Sequence, residues 1–159
     1  MAGRFFEEWK VGDSIAHAVT RTVTETDNLL FSALTHNPQP MHLDREVAAK
    51  SEFGQPIVNS VFTFGLMIGV SVSDTTLGTL IANLGYDKLL FPNPVFIGDT
   101  LRTVTECVAV RESQSRPNAG IVTWAHRSFN QRDELVCECT RTALLLKTPE
   151  GLNPLPTRP

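Results

Sequence analysis

After Asp74 the pattern of apolar and polar positions changes to that of strands, apolar and β-branched runs bounded by turn signals. Four such strands are expected, over 79–91, 100–111, 120–130 and 134–147. "NQRDE" at 130–134 suits a hairpin turn, and "ESQSRPNAG" at 112–120 a longer one, so the sheet should be mostly antiparallel. The front half is patterned differently. Residues 14–23 favour a strand; Thr24 then stands where a helix cap would, with Asp27 at the capping-box position. Leu30, Ala33 and Leu34 supply that helix with an inward stripe. The helix must end near Thr35, because Pro38 and Pro40 push the residues before them to extended geometry. "THNPQPMH" at 35–42 therefore reads as a stiff loop, followed by a short helix over 44–50 that starts at Asp44. Gly54 and Pro56 break the chain after it.

"VNSVFTFGLMIGVSVS" at 58–73 has no polar face, which predicts a helix buried on nearly every side and capped by Asn59 or Ser60. Gly65 and Gly69 cost it propensity and would let a sheet or helix approach closely. One long buried helix and several antiparallel strands make an α+β domain, a single sheet wrapped around a central helix.

Composition narrows the function. At 159 residues, 42% hydrophobic and 19% charged, the chain suits one soluble globular domain over 1–148, with an irregular Pro-rich tail over 149–159. A net charge of -3 argues against nucleic acid, whose phosphates need a basic face. The apolar run 57–72 is broken by Asn59, Ser60, Thr63 and two glycines, too short and too polar for a membrane span. Glu7 and Glu8 stand where a signal peptide would be apolar, and the three cysteines form no CxxC, so a reducing cytoplasm is expected. No cluster has metal-ligand spacing, and there is no GxGxxG, P-loop or GxSxG.

"LTHNPQPMHLDREVAAKSEFGQPIVNSVFTFGL" and "FPNPVFIGDTL", in that order, resemble the MaoC-type dehydratases of the hot-dog fold, which include the (R)-specific enoyl-CoA hydratases. The resemblance implies a single hot-dog domain that hydrates or dehydrates an acyl-CoA thioester. It also implies no metal or redox cofactor, and a homodimer or higher homo-oligomer with the acyl-CoA at the subunit interface. The family motif reads Asp, any residue, Asn, Pro, an aliphatic residue, His. His42 and Pro40 match it; Asn37 falls on the catalytic aspartate, and Gln39 replaces the motif asparagine. Ser60 falls on the glycine whose backbone N–H binds the thioester oxygen. "RESQSRP" and "NSVFTFGLMIGVSVSDTTLGTLIANLGY" are similar to hydratases of branched dicarboxylic acyl-CoAs, of the mesaconyl-CoA and itaconyl-CoA type.

Hydration of an enoyl thioester needs a base, a proton for the α-carbon, and donors for the enolate oxygen. His42 is the expected base, since imidazole titrates near ~6.5. Ser60 offers a backbone N–H at a helix start, where unpaired donors and the dipole favour negative charge. Asn37 can orient water but not deprotonate it, and it is equally at home as a turn residue. Arg116 is either a solvated loop residue, a clamp on a substrate carboxylate, or a contact to CoA phosphates. A carboxylate on the substrate, held by Arg116, would replace the charge missing at position 37. Gln39, His36 and Asn59 flank these positions and are expected on the substrate side; Arg111 and Lys88 are weaker candidates, and His17 and His126 read as structural or surface. Two alternatives stay open: a hot-dog thioesterase attacking the carbonyl, and an acyl-CoA binding protein without catalysis, suggested by the missing acid.

Overall fold

The computed structural model describes residues 3–149, so the expected Pro-rich tail, Pro149 apart, lies outside the described residues. A 3-10 turn at Phe6–Glu8 precedes two short strands, β1 (Ser14–Ala16) and β2 (Arg21–Thr22). Helices α1 (Glu25–Leu34), α2 (Pro40–Leu43), α3 (Arg45–Ala49) and α4 (Ser60–Thr75) follow. Four long strands complete the chain: β3 (Leu80–Leu90), β4 (Thr100–Glu112), β5 (Ala119–Phe129) and β6 (Leu135–Leu146). The long strands end within a residue of where the sequence pattern placed them. The sheet runs β1-β4-β5-β6-β3, with β2 also on β4, and every pairing is antiparallel. The strand expected over 14–23 is interrupted between residues 16 and 21, and His17 there is buried with its ring Nδ1 2.8 Å from Asp74 of α4.

The capping box of α1 is present: Thr24 accepts from the Asp27 N–H, and Asp27 accepts from the Thr24 N–H. Its inward stripe is not the expected one. Leu30 and Leu34 are 55% and 72% exposed, whereas Asn28 and Ser32 are fully buried. The helix is turned so that the Asn28 amide meets backbone groups of residues 42–59, a demand that a count of apolar positions does not register. The expected stiff loop also contains more structure. Pro40 sits at the first helical position, where its missing N–H costs nothing, and starts the single turn α2 that carries His42.

Helix α4 lies across the inner face of the sheet with Thr63, Met67, Ser71 and Thr75 buried, and Asn59 caps it through the Val61 N–H. Met67 packs on Cys137 and Cys139 of β6. Burial on nearly every side is not what a single chain achieves. Val61 is 55% exposed, and Gly65 and Gly69 are exposed too; a Cβ at either glycine would meet nothing within 4 Å. One sheet covers one side of a helix, and these glycines face away from it, so the expected close approach is absent in this chain. A second core joins Trp9, Cys107, Val122, Trp124, Ala143 and Leu145, with the two indoles edge-on at 5.3 Å. Edge strand β3 leaves Leu84, Tyr86, Leu89 and Leu90 exposed.

His17 and His126 are both buried, so the structural alternative holds for them. Thr105 Oγ1 bridges them, 2.7 Å from His17 Nε2 and 2.8 Å from His126 Nδ1. Burial, with Arg141 and His17 adding positive charge, pushes His126 down to about 3, so it is neutral. The three cysteines are free and buried, and burial raises their thiols to about 11 for Cys107 and Cys139 and about 12 for Cys137. Among the described residues no helix is long and apolar enough to cross a membrane.

Asp99 ties the turn before β4 to the β5–β6 hairpin. Its carboxylate accepts from the Phe96 N–H (2.9 Å), Gln131 Nε2 (2.7 Å) and Arg132 Nη1 (3.0 Å). Burial alone would raise its pKa; these donors, Phe96 foremost, outweigh burial and hold it below the ordinary carboxylate value. A folded-state pKa below the unfolded one stabilises the protein above the unfolded value and stops doing so as pH falls through the folded one. Asp99→Ala is expected to lower the unfolding free energy by about 1–3 kcal/mol at neutral pH. In urea melts that deficit should shrink below about pH 4.

Candidate active site

His42 is held on the α2 turn between two fixed points. Its backbone N–H donates to the Gln39 carbonyl (3.0 Å), and its ring Nδ1 lies 2.9 Å from the Ile57 carbonyl oxygen. A carbonyl can only accept, so Nδ1 carries the hydrogen and Nε2 keeps its lone pair. The ring is half-buried, and among the described residues no carboxylate bonds it. Residues 57–59 are fastened from two sides: the Ile57 N–H donates to the Met41 carbonyl (3.1 Å), and the Val58 N–H to the Val95 carbonyl (2.8 Å).

That segment runs straight into α4. Asn59 is the cap and Ser60 the first helical residue, so the Ser60 N–H has no acceptor within the helix. The structure thus joins His42 and Ser60 through one short, doubly anchored stretch: a ring nitrogen able to take a proton, and a helix N-terminus able to receive negative charge.

The other expected residues are placed differently. Asn37 Oδ1 accepts from the Gln39 N–H (3.0 Å), closing a turn, and its own N–H donates to the Ser32 carbonyl (2.9 Å). With the His36 N–H on Ala33, this is a Schellman ending for α1, in which His36 takes the left-handed position (φ 52°) and stays exposed. His36 thus ends a helix. Gln39 is the exposed residue before α2 and accepts from His42 through its carbonyl. Asn59 is buried and spends its side-chain oxygen on the Val61 N–H, a capping duty in place of the expected substrate contact.

Arg116 is exposed in the β4–β5 hairpin. The His42 end of the molecule joins the opposite end of β4, through the Ile57–Phe96 bridge and the Phe96 N–H on Asp99. The 13 residues of β4 separate the two ends by a contour on the order of 40 Å. Arg116 therefore cannot hold a carboxylate beside His42 of the same chain. Arg111 and Lys88 are likewise exposed on strands.

Sequence reasoning missed Asn28, whose amide contacts His42, Ile57 and Asn59 together. Its signal was a polar pair four residues apart, Asn28 and Ser32, flanking the apolar run Leu29–Phe31. Also missed was a groove of about 470 Å³ beside α4, walled by Val19, Phe31, Phe62, Leu66 and Val70 and left open by Gly65 and Gly69. Phe31 and Phe62 meet edge to face at 5.7 Å, near the α4 start, and no charged side chain lines the groove. Among the described residues no group of three or more His, Cys, Asp or Glu is placed to hold a metal ion.

The chain matches the family described as MaoC like domain over residues 7–128. It is 35% identical to mesaconyl-CoA hydratase of Cereibacter sphaeroides over 159 residues, 99% of this chain and 46% of that protein. With the beta-methylmalyl-CoA dehydratase of Chloroflexus aurantiacus it shares 32% identity over 145 residues, 91% of this chain and 41% of that one. The chain thus spans less than half the length of these curated relatives. Among solved structures, the monoamine oxidase regulatory protein from Archaeoglobus fulgidus superposes with a TM-score of 0.82 at 36% identity, covering 92% of this chain and 97% of that one. A Mycobacterium tuberculosis protein with a double hot-dog fold gives 0.85 at 24% identity, over 99% of this chain and 48% of that one, a likeness of fold alone. A six-stranded antiparallel sheet carrying one long helix agrees with both superpositions. By sequence and by fold, this chain belongs to the MaoC-like dehydratase family of hot-dog proteins.

Proposed function

We propose that the chain adds water reversibly across the double bond of an enoyl-CoA thioester, with no metal or redox cofactor. The observation that carries this reading is the His42 ring, which keeps its Nε2 lone pair and shares an anchored segment with the α4 N-terminus. Nε2 takes a proton from water as the water oxygen bonds to the β-carbon. Charge moves to the thioester oxygen, where the Ser60 N–H and the helix dipole receive it. The imidazolium then gives its proton to the α-carbon, so a single group accounts for both proton transfers. Asn37 acts through the turn that it closes.

A branched dicarboxylic acyl group of the mesaconyl-CoA or itaconyl-CoA type is the reading that the two curated relatives support. The substrate's own carboxylate would then stand near a histidine that has no acid beside it. Arg116 could contact it only from a second copy. A homodimer also gives the exposed apolar residues of β3 a cover. A second reading, an unbranched aliphatic acyl group, is favoured by the uncharged groove along α4.

Loss of enoyl-thioester absorbance with itaconyl-, mesaconyl-, crotonyl- and octenoyl-CoA tests the whole proposal. Turnover of the dicarboxylic pair above crotonyl-CoA is expected; octenoyl-CoA as the best substrate would select the aliphatic reading. Release of free CoA thiol would mark a thioesterase, and binding without turnover a silent acyl-CoA carrier. His42→Gln should cost ~10²–10⁴-fold in kcat with the fold retained by circular dichroism. If octenoyl-CoA is turned over, Gly69→Val should reduce that rate about 10-fold or more and spare crotonyl-CoA, because the new side chain fills the groove. Light scattering should give a dimer or a larger assembly, and a clean monomer would count against the interface.

A further inference from the structure

Asn28 points inward from α1 and is fully buried. Its amide makes three hydrogen bonds, all to backbone groups outside its own helix. Nδ2 donates to the carbonyl oxygens of His42 (3.0 Å) and Ile57 (3.3 Å), one hydrogen for each, and Oδ1 accepts from the Asn59 N–H (2.8 Å). The orientation of the amide follows from its partners: a flipped group would set N–H against N–H and an oxygen against two carbonyls.

We propose that Asn28 is a positioning residue for the hydration reaction, holding His42 in its Nδ1–H form and in register with the Ser60 N–H. The inference rests on the hydration reading above. Two linkages carry it. On the base side, Asn28 holds both the His42 backbone and the Ile57 carbonyl, the oxygen that receives His42 Nδ1–H. An unconstrained histidine side chain favours the opposite tautomer, with the hydrogen on Nε2. A loosened Ile57 carbonyl would let the ring swivel and put the hydrogen on the nitrogen that has to be the base. On the acceptor side, Asn28 fixes the backbone of Asn59, whose side chain caps the Val61 N–H and leaves the Ser60 N–H free. A single buried amide thus sets the separation of base and oxyanion donor.

Filling space does not explain an asparagine here. An apolar residue would fill the site with no amide to desolvate, and a buried amide is unfavourable unless its hydrogen bonds are made. The three bonds converge on the base, its tautomer-setting carbonyl and the cap of the helix that receives charge.

The test uses Asn28→Leu, which keeps the branched outline with somewhat more volume and removes all three bonds. Expected are a fall in kcat of about 10- to 100-fold, as for a base displaced by about an ångström, and a KM changed by less than about threefold. Nitrogen-15 spectra of the neutral ring should show His42 leaving the Nδ1–H form. Native kcat in a folded variant, or a His42 tautomer that does not change, would overturn the proposal. Where Asn28→Leu does not fold, Asn28→Asp, which retains the acceptor for the Asn59 N–H, is read by the same two measurements. The natural protein gives an independent check: a neutral His42 with its hydrogen on Nε2 refutes the proposal whatever the variants do. If the natural protein hydrates none of the enoyl-CoAs, the hydration reading fails by itself, and the spectra still decide whether Asn28 sets the tautomer.

Discussion

Helix α4 meets the sheet along Thr63, Met67, Ser71 and Thr75, and that line of mostly small side chains sets how closely helix and sheet can lie. Two of the hydroxyls turn back onto the helix itself, Ser71 to the Ile68 carbonyl and Thr75 to the Ser71 carbonyl, which spares them a partner in the sheet. With this seam fixed, the rest of the architecture follows. The N-terminus of α4 is carried to the end of the sheet where residues 57 and 58 join 95 and 96, and His42 is fastened to the same place. The opposite side of α4, bare at Gly65 and Gly69, becomes a groove because none of the described residues covers it.

The site is economical in charge. Among the described residues no acid bonds His42, the Ile57 carbonyl fixes its tautomer, and the candidate oxyanion donor is a backbone N–H. Backbone groups on anchored segments place a base as firmly as a carboxylate would, without a second titrating group beside it. Asn37, for its part, closes a turn through its side-chain oxygen.

What could be read from the sequence was what depends on local period. Apolar runs between turn signals marked the four long strands, and the Thr24–Asp27 box marked the start of α1. The turn of α1 about its axis could not be read, because the partners of Asn28 lie 14 and 29 to 31 residues away and none is a side chain. A helix without a polar face reveals that it needs covering, not what covers it, so the exposure of Val61 and the two glycines was invisible. His42 was found through a motif, yet the motif does not show that Pro40 starts a helical turn there. Arg116 was drawn to the site by chemistry alone; only the pairing of β4 with β5 places it at the far end of the sheet.

The buried cysteines carry a practical consequence for settling the activity. An aromatic disulfide reagent that reports free CoA by its colour is the direct monitor of thioester cleavage, and a protein's own reactive thiols are its usual background. Here all three sulfurs are enclosed, two of them under Met67, and burial keeps them protonated well above neutral pH. While the protein stays folded, colour in such an assay reports the substrate alone, and a slow rise without substrate reports unfolding.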